Sequence, residues 1–84
     1  MPSEVSENPA SDTSRVYRIT EVVGTSPLGV DAAIEAAVSR AGESLHGLDW
    51  FEVADIRGHI QSGRIAHYQV TVKLGFRLDK AVSP

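Results

Sequence analysis

Four side chains in the second half of the chain have the chemistry to hold a planar ligand that carries a phosphate: Trp50, Arg57, Gln69 and Arg77. An indole offers a flat face on which another ring can stack. A primary amide presents a donor and an acceptor side by side, which matches the edge of a uracil-like ring. Guanidinium groups bind phosphate through paired hydrogen bonds. A tryptophan that begins a strand can equally be a packing residue, so these residue types alone leave both roles open.

Other common chemistries find little support in the sequence. The register derived below places His59 and His67 on opposite sheet faces, and no carboxylate shares a ligand-like spacing with either, so we predict no metal site. Three carboxylates between residues 49 and 55 follow one strand, without the shared pocket that acid–base catalysis needs. No Ser-His-Asp arrangement or nucleophile elbow occurs. We therefore do not expect an enzyme.

A long β-hairpin is predicted to position the four candidate residues. Residues 50–61 and 64–78 both have strand patterns, and the second run alternates between apolar and polar side chains. Ser62-Gly63 between them is a hairpin-turn signal. A two-residue turn there gives a register with three favourable cross-strand pairs: Phe51 with Leu74, Glu52 with Lys73, and Val53 with Val72.

The same register assigns side chains to the two faces of the hairpin. It places Trp50, Ala54 and Ile56 on the same face as Gln69. It leaves Arg57 opposite a tyrosine on the core side, so we expect a β-bulge near Gly58 that re-aims the arginine.

The segment before the hairpin is predicted to add one strand and one helix. Residues 16–23 form the strand and residues 24–29 a loop. The helix runs over residues 30–46, with Gly29 as N-cap and Gly47 as a left-handed C-cap residue. The fold class is therefore α+β, with a β-α-β-β order and a mostly antiparallel three-stranded sheet.

The lengths of these elements predict an oligomer. A helix of this length spans ~25 Å, whereas strands of twelve to fifteen residues run ~40–50 Å. One helix cannot cover such a hairpin, and an uncovered face that carries Trp50, Ala54, Ile56 and Ile65 favours association.

Composition limits the organisation and the partners. The 84 residues suit one domain at residues 15–80, between a disordered tail at 1–14 and a short tail at 81–84. The net charge of −3 comes from the first tail, since eight acidic and eight basic residues balance from Arg15 onward. We expect no nucleic-acid partner and no membrane segment. The absence of cysteine suits a cytoplasmic protein.

Several motifs together resemble the dodecin family of small flavin-binding proteins. They lie at residues 16–26, 48–53, 56–58, 68–70 and 74–78, and include the runs Asp-Trp-Phe-Glu-Val and Gly-Phe-Arg-Leu. The resemblance covers residues 16 to about 79. It implies a sheet wrapped around the helix and a hollow homododecamer built from trimers. It also implies flavins bound in pairs between subunits.

The resemblance further implies roles for individual residues. Trp50 would stack on the flavin, Gln69 would bond its ring edge, and Arg57 and Arg77 would lie near the phosphate of flavin mononucleotide (FMN). Some bacterial relatives also bind coenzyme A through basic residues, and Arg18 and Arg40 fall at such positions. The implied cofactor-binding residues are Trp50, Gln69, Arg57, Arg77, His59, Arg18 and Arg40.

The role that the resemblance implies is storage and buffering of flavin and its protection from photochemistry, without turnover. Arg57 favours FMN, with riboflavin or FAD as alternatives. Two other functions stay open. One is a structural homo-oligomer or a coenzyme A carrier with incidental flavin binding. The other is a flavoenzyme subunit, although a flavin pair stacked between two tryptophans leaves no room for a substrate.

Overall fold

The computed structural model describes residues 14–78, which fold as β-α-β-β. The elements are β1 at Tyr17–Ser26, α1 at Val30–Gly42, β2 at Leu48–Gln61 and β3 at Arg64–Arg77. The sheet has the order β1-β3-β2, and both strand pairs are antiparallel. The predicted fold class is therefore confirmed. The predicted tails lie outside the described residues, apart from Ser14.

The core lies between α1 and the middle of the sheet. Three small residues of α1 pack against three larger residues of β3, and all six are buried: Ala33, Ala37, Ala41, Val70, Val72 and Leu74. Alanine at these positions lets the helix lie close to the sheet. The closest approach is at Gly24 of β1, where an added Cβ would overlap the carbonyl oxygen of Ala33 and touch the Cβ of Ala37.

Substitution of Gly24 by alanine is expected to destabilise the protein by about 1–3 kcal/mol, because an extra methyl group in a well-packed core forces the backbone apart. Gly42→Ala is the matched control. The nearest side-chain atom there is Leu48 Cδ1 at 3.9 Å, so we expect no loss and up to about 1 kcal/mol of gain. Urea unfolding at one fixed protein concentration measures both. Equal midpoints for the two variants would contradict this account of the helix–sheet contact.

Two element ends differ from those predicted. The helix ends at Gly42, four residues early, because the amides of Ser44 and Leu45 both bond to the Ala41 carbonyl, at 3.1 and 2.9 Å, and the chain turns there. Gly47 has a positive φ of 77°, but it lies in the connection to β2 and not at the helix end. Its carbonyl accepts a hydrogen bond from the Arg77 amide at 2.9 Å.

Strand β1 is longer than predicted. It continues through Gly24 to Ser26, since residues 24–26 still pair with β3. The side-chain oxygen of Ser26 accepts a hydrogen bond from the Leu28 amide at 3.0 Å. This bond closes the turn that leads into α1.

The predicted hairpin register is confirmed around the turn and near Trp50. Gln61 pairs with Arg64, and the three favourable pairs predicted above all occur. Ser62 and Gly63 have φ angles of 53° and 74°. Two positive φ angles are the signature of a type I′ turn, whose twist matches that of the flanking strands.

Three β-bulges interrupt the hairpin. The extra residues, which have no partner across the ladder, are Asp49 and Ala54 in β2 and Ala66 in β3. The bulge expected near Gly58 therefore exists, but its extra residue lies on the opposite strand, and a second bulge at Ala54 precedes it. Between them Arg57 pairs with Gln69, so the arginine is re-aimed as predicted.

The same bulges overturn three predicted placements. Ile56 pairs with Val70, which is a core residue, so Ile56 lies on the helix side of the sheet and not beside Trp50. Ile65 pairs with Ile60, the residue after His59, and lines the same surface depression as Ile56. Ile65 therefore lies on the helix side of the sheet and not beside Trp50. His59 pairs with His67, and directly opposed residues share a face. The two histidines therefore do not point to opposite faces.

The helix leaves most of the hairpin uncovered, as the predicted lengths required. α1 packs on β1 and β3, and its thirteen residues span ~20 Å, whereas fourteen-residue strands reach ~46 Å. Five large apolar side chains on the helix side of the hairpin are consequently exposed: Phe51, Val53, Ile56, Ile60 and Ile65.

Candidate functional site

Five of the seven predicted cofactor-binding residues lie on one face of the sheet, the face turned away from α1. We call it the outer face and define it by Trp50, Arg57, His59, Gln69 and Arg77. Gln69 and Arg77 have the opposite parity along β3 from the buried residues that face α1. The three β2 residues lie opposite residues of that same parity. The predicted common face for Trp50 and Gln69 is confirmed.

The outer face carries these residues in two separate groups. Trp50 lies opposite Gly75, two residues from Arg77. Arg57 lies opposite Gln69, six residues further along β3. Six residues of strand span ~20 Å. A ring stacked on Trp50 therefore cannot reach the Gln69 amide of the same chain, and a site that uses both needs a second copy.

Trp50 lies against backbone and not against the core. Trp50 is 38% exposed, whereas the core residues of β3 are almost fully buried. An added Cβ at Gly75 would overlap three carbons of the indole. A glycine inside a strand often marks such a close approach. The lack of a side chain at position 75 is thus what lets the indole lie across β3.

A tyrosine and an aspartate complete the surroundings of Trp50. The Tyr17 hydroxyl donates a hydrogen bond to Asp49 Oδ2 at 2.7 Å. The Tyr17 ring centroid lies 6.1 Å from that of Trp50, with the planes tilted by 53°. Such a tilted pair is a favourable aromatic arrangement. Asp49 is a bulge residue directly before Trp50, so the bulge places its carboxylate within reach of β1.

The hydrogen bond to Asp49 is the main reason why the pKa of Tyr17 lies above its ordinary value, and partial desolvation and the negative charge of Asp49 act in the same direction. The protonated phenol is therefore favoured in the folded state. The stability that this provides is present below the ordinary tyrosine pKa and is lost as the pH rises through the raised value.

We expect Asp49→Asn to lower the pKa of Tyr17 toward its ordinary value, since an amide oxygen is a weaker acceptor and carries no charge. Phenolate absorbance followed during alkaline titration measures the change. Tyr17→Phe serves as the control that assigns the titration, because the chain has one other tyrosine. An unchanged curve in Asp49→Asn would mean that the carboxylate does not hold the phenol proton.

The second group on the outer face combines charges and rings. Arg57 Nε donates to Asp55 Oδ2 at 2.8 Å, and both side chains are exposed. Arg57 itself lies opposite Gln69 across the ladder. Beyond it, the His59 and His67 rings stack with centroids 5.4 Å apart and planes 20° apart.

The two arginines implied for coenzyme A lie elsewhere. Arg18 pairs with Phe76 and has the parity of the helix side of β1. Arg40 is on α1, where its Nε is 3.6 Å from Glu43 Oε1. Arg40 lines a groove of about 500 Å³ between β1 and α1, and Arg18 is not among its lining residues. Neither arginine belongs to the outer face.

Four residues of this site were not predicted from the sequence: Tyr17, Asp49, His67 and Gly75. Only Gly75 could have been found from the sequence. The predicted register already places it opposite Trp50, where a glycine interrupts the polar face of β3. The Tyr17–Asp49 bond joins β1 to β2 across β3, and no local pattern marks it.

Two classes of feature are missing from residues 14–78. No group of three or more histidine, aspartate or glutamate side chains there could hold a metal ion. No helix in the same range has the length and apolar character needed to cross a membrane.

Comparison with known proteins gives one consistent result. The family model described as Dodecin matches residues 16–79. A curated Thermus thermophilus protein named Dodecin is 50% identical over 66 residues, which are 79% of this chain and 96% of that protein.

Solved structures agree with the sequence comparison. Dodecin from Streptomyces coelicolor is 56% identical, with a TM-score of 0.77, and the match covers 83% of this chain and all of that one. The Thermus thermophilus protein tt0972 is 48% identical, again with a TM-score of 0.77, over 81% of this chain and all of that one.

Proposed function

The chain belongs to the dodecin family, and on this premise we propose that it binds and stores FMN, stacked on Trp50 between two copies of the chain. The proposal is a binding function without catalytic turnover. Storage of this kind buffers free flavin and protects it from photochemistry, because an electron-rich indole against the ring quenches its excited state.

The observation that carries the proposal is the setting of Trp50. Trp50 is half-exposed, its indole lies over a glycine, and the Tyr17 ring is tilted against it at a centroid distance of 6.1 Å. A packing tryptophan would be buried among apolar side chains, whereas this one keeps part of its face available for another ring.

The remaining roles follow from position and chemistry. The Gln69 amide of a second copy would bond the pyrimidine-like edge of the flavin, since it carries both a donor and an acceptor. Arg57 and Arg77 would bind the phosphate. His59, two residues from Arg57, would line the same part of the site. The ~20 Å between the two groups within one chain supports a site shared between copies.

Variants of a relative support the choice of residues. Solved structures of Thermus thermophilus dodecin include a tryptophan-to-phenylalanine variant and two arginine-to-alanine variants. The three substituted positions are spaced by seven and then twenty residues, which is the spacing of Trp50, Arg57 and Arg77. We propose that these three residues have matching roles here.

We also propose that the chain assembles into a dodecamer built from trimers. The five exposed apolar residues on the helix side of the hairpin form a surface that favours burial against other copies. The mass measured by light scattering at micromolar concentration should then be that of an oligomer. A mass near 9.0 kDa would exclude assembly.

Coenzyme A is a separate proposal that rests on the resemblance alone. Arg18 and Arg40 lie off the outer face, so a ligand bound through them would leave the flavin site free.

The proposed function is tested by adding FMN to the flavin-free protein and following flavin fluorescence. We expect strong quenching that saturates at a fixed ratio of FMN to chain. Emission that stays equal to that of free FMN at every protein concentration would refute stacking on Trp50.

A further inference from the structure

The two stacked histidines at the far end of the outer face have no role in the proposed flavin site as a pair. Residues 14–78 provide neither imidazole with a hydrogen bond or an ion pair. Their ring centroids are 5.4 Å apart, and they are opposed only because bulges at Ala54 and Ala66 shift the register between them. Two unpartnered imidazoles, held together by the backbone, form a donor set.

We propose that His59 and His67 form a two-histidine binding site for a late first-row divalent cation. Neutral imidazole nitrogen is a preferred ligand of Cu²⁺, Ni²⁺ and Zn²⁺. The general order of affinities gives Cu²⁺ as the tightest of the three. Water or a group from a second copy would complete the coordination.

The separation of the rings fits chelation. A metal–nitrogen bond of about 2.0–2.1 Å places the ion roughly 3.2 Å from each ring centroid, so two rings at a tetrahedral angle have centroids about 5.2 Å apart. The observed 5.4 Å differs little. The strands already have the required spacing, and rotation of the side chains would turn the stacked rings toward a shared ion. His59 is exposed and His67 is half-buried, so both are open to solvent.

The charged groups on the outer face near the two histidines are one ion pair and one exposed arginine. Arg57 is the closest basic residue along β2, but its guanidinium is paired with Asp55 at 2.8 Å. The net charge of that pair is zero. The outer-face neighbours of His67 on β3 are Gln69, which is neutral and can accept hydrogen bonds from a metal-bound water, and Arg64, which lies opposite Gln61 at the turn. Arg64 is exposed, so water and salt screen its charge.

The test is calorimetric titration of Zn²⁺ and Cu²⁺ into the full-length, flavin-free protein at about pH 7.5. We expect one site per chain. His59→Gln and His67→Gln should each weaken Zn²⁺ binding by about tenfold or more, because one ligand of two is lost. His46→Gln is the matched control, since His46 is exposed in the α1–β2 connection, and it should bind like wild type.

Three results would overturn the proposal. The first is no Zn²⁺ binding by wild type up to about 1 mM, the second is equal affinities for Zn²⁺ in the wild type and the three variants, and the third is a loss of affinity for Zn²⁺ in His46→Gln alone. Electron paramagnetic resonance of wild type with one Cu²⁺ per chain gives an answer even if a variant fails to assemble. Coupling to two imidazole nitrogens supports the site, and coupling to one or none refutes it. Because no flavin is present, failure of FMN binding would leave this result unaffected.

Discussion

Replacement of Trp50 by alanine is expected to lower the affinity for FMN by roughly 5- to 150-fold, which corresponds to the ~1–3 kcal/mol that stacking on an aromatic side chain contributes per ring. The flavin-free oligomer should stay assembled. A tryptophan buried in a core would instead cost ~3–5 kcal/mol of stability on truncation. Trp50 is 38% exposed and lies over Gly75, so little core packing is lost.

Titration of FMN into both proteins, followed by flavin fluorescence, measures this difference. Trp50→Phe is the graded control, because a smaller ring still stacks and should give an intermediate affinity. Size-exclusion chromatography of the flavin-free variants shows whether assembly is intact. An alanine variant that quenches and binds like wild type would make Trp50 a packing residue and remove the main support for flavin storage.

The second large effect is expected at Arg57. Arg57→Ala should weaken FMN binding by about 10- to 150-fold, equivalent to the ~1.5–3 kcal/mol of a hydrogen bond to a charged group. Riboflavin lacks the phosphate, so its affinity should change little. Arg57 is favoured for this role because it lies opposite Gln69 on the outer face.

Calorimetry with both flavins and three variants separates the contributions. Arg64→Ala removes the same charge from the turn end of β3 and should leave both affinities unchanged. Arg77→Ala identifies the primary phosphate ligand, since the more important arginine shows the larger difference between FMN and riboflavin. If Arg57→Ala lost affinity for FMN and for riboflavin equally, Arg57 would not contact the phosphate.

The parts of the fold that local signals encode could be predicted from the sequence. The alternation in residues 64–78 and the Ser62-Gly63 turn predict both the hairpin and its register, because side chains of a strand alternate strictly between two faces. The alanine-rich stripe of α1 predicts close packing on the sheet. The helix end was missed, because Gly42 and Gly47 are both plausible stops and only the hydrogen bonds distinguish them.

The β-bulges are the reason why some side chains of the site could not be assigned to the correct sheet face from the sequence. A bulge inserts one residue, and nothing in the side chain of Ala54 or Ala66 marks it, since an alanine fits either a ladder or a bulge. The placements of Ile56 and His59 therefore failed, while Trp50, which lies before the Ala54 bulge, was placed correctly. The Tyr17–Asp49 bond depends on β1 lying beside β3, which is a property of the whole sheet.

The bulges at Ala54 and Ala66 also determine where the chain tolerates a change in length. Each of these residues has no partner on the opposite strand. Removal of Ala54 therefore restores regular pairing and leaves Arg57 and His59 on the outer face. Removal of Ile56 instead either keeps the bulge, which turns Arg57 toward the helix side, or removes it, which places the Asp55 carboxylate opposite the core residue Val70. Two chains of equal length and nearly equal composition would thus differ in whether they keep a binding surface, which comparison of their FMN affinities would reveal. We therefore expect deletions in related chains to fall at Ala54 and Ala66, where the loss of one residue keeps the rest of the hairpin in register.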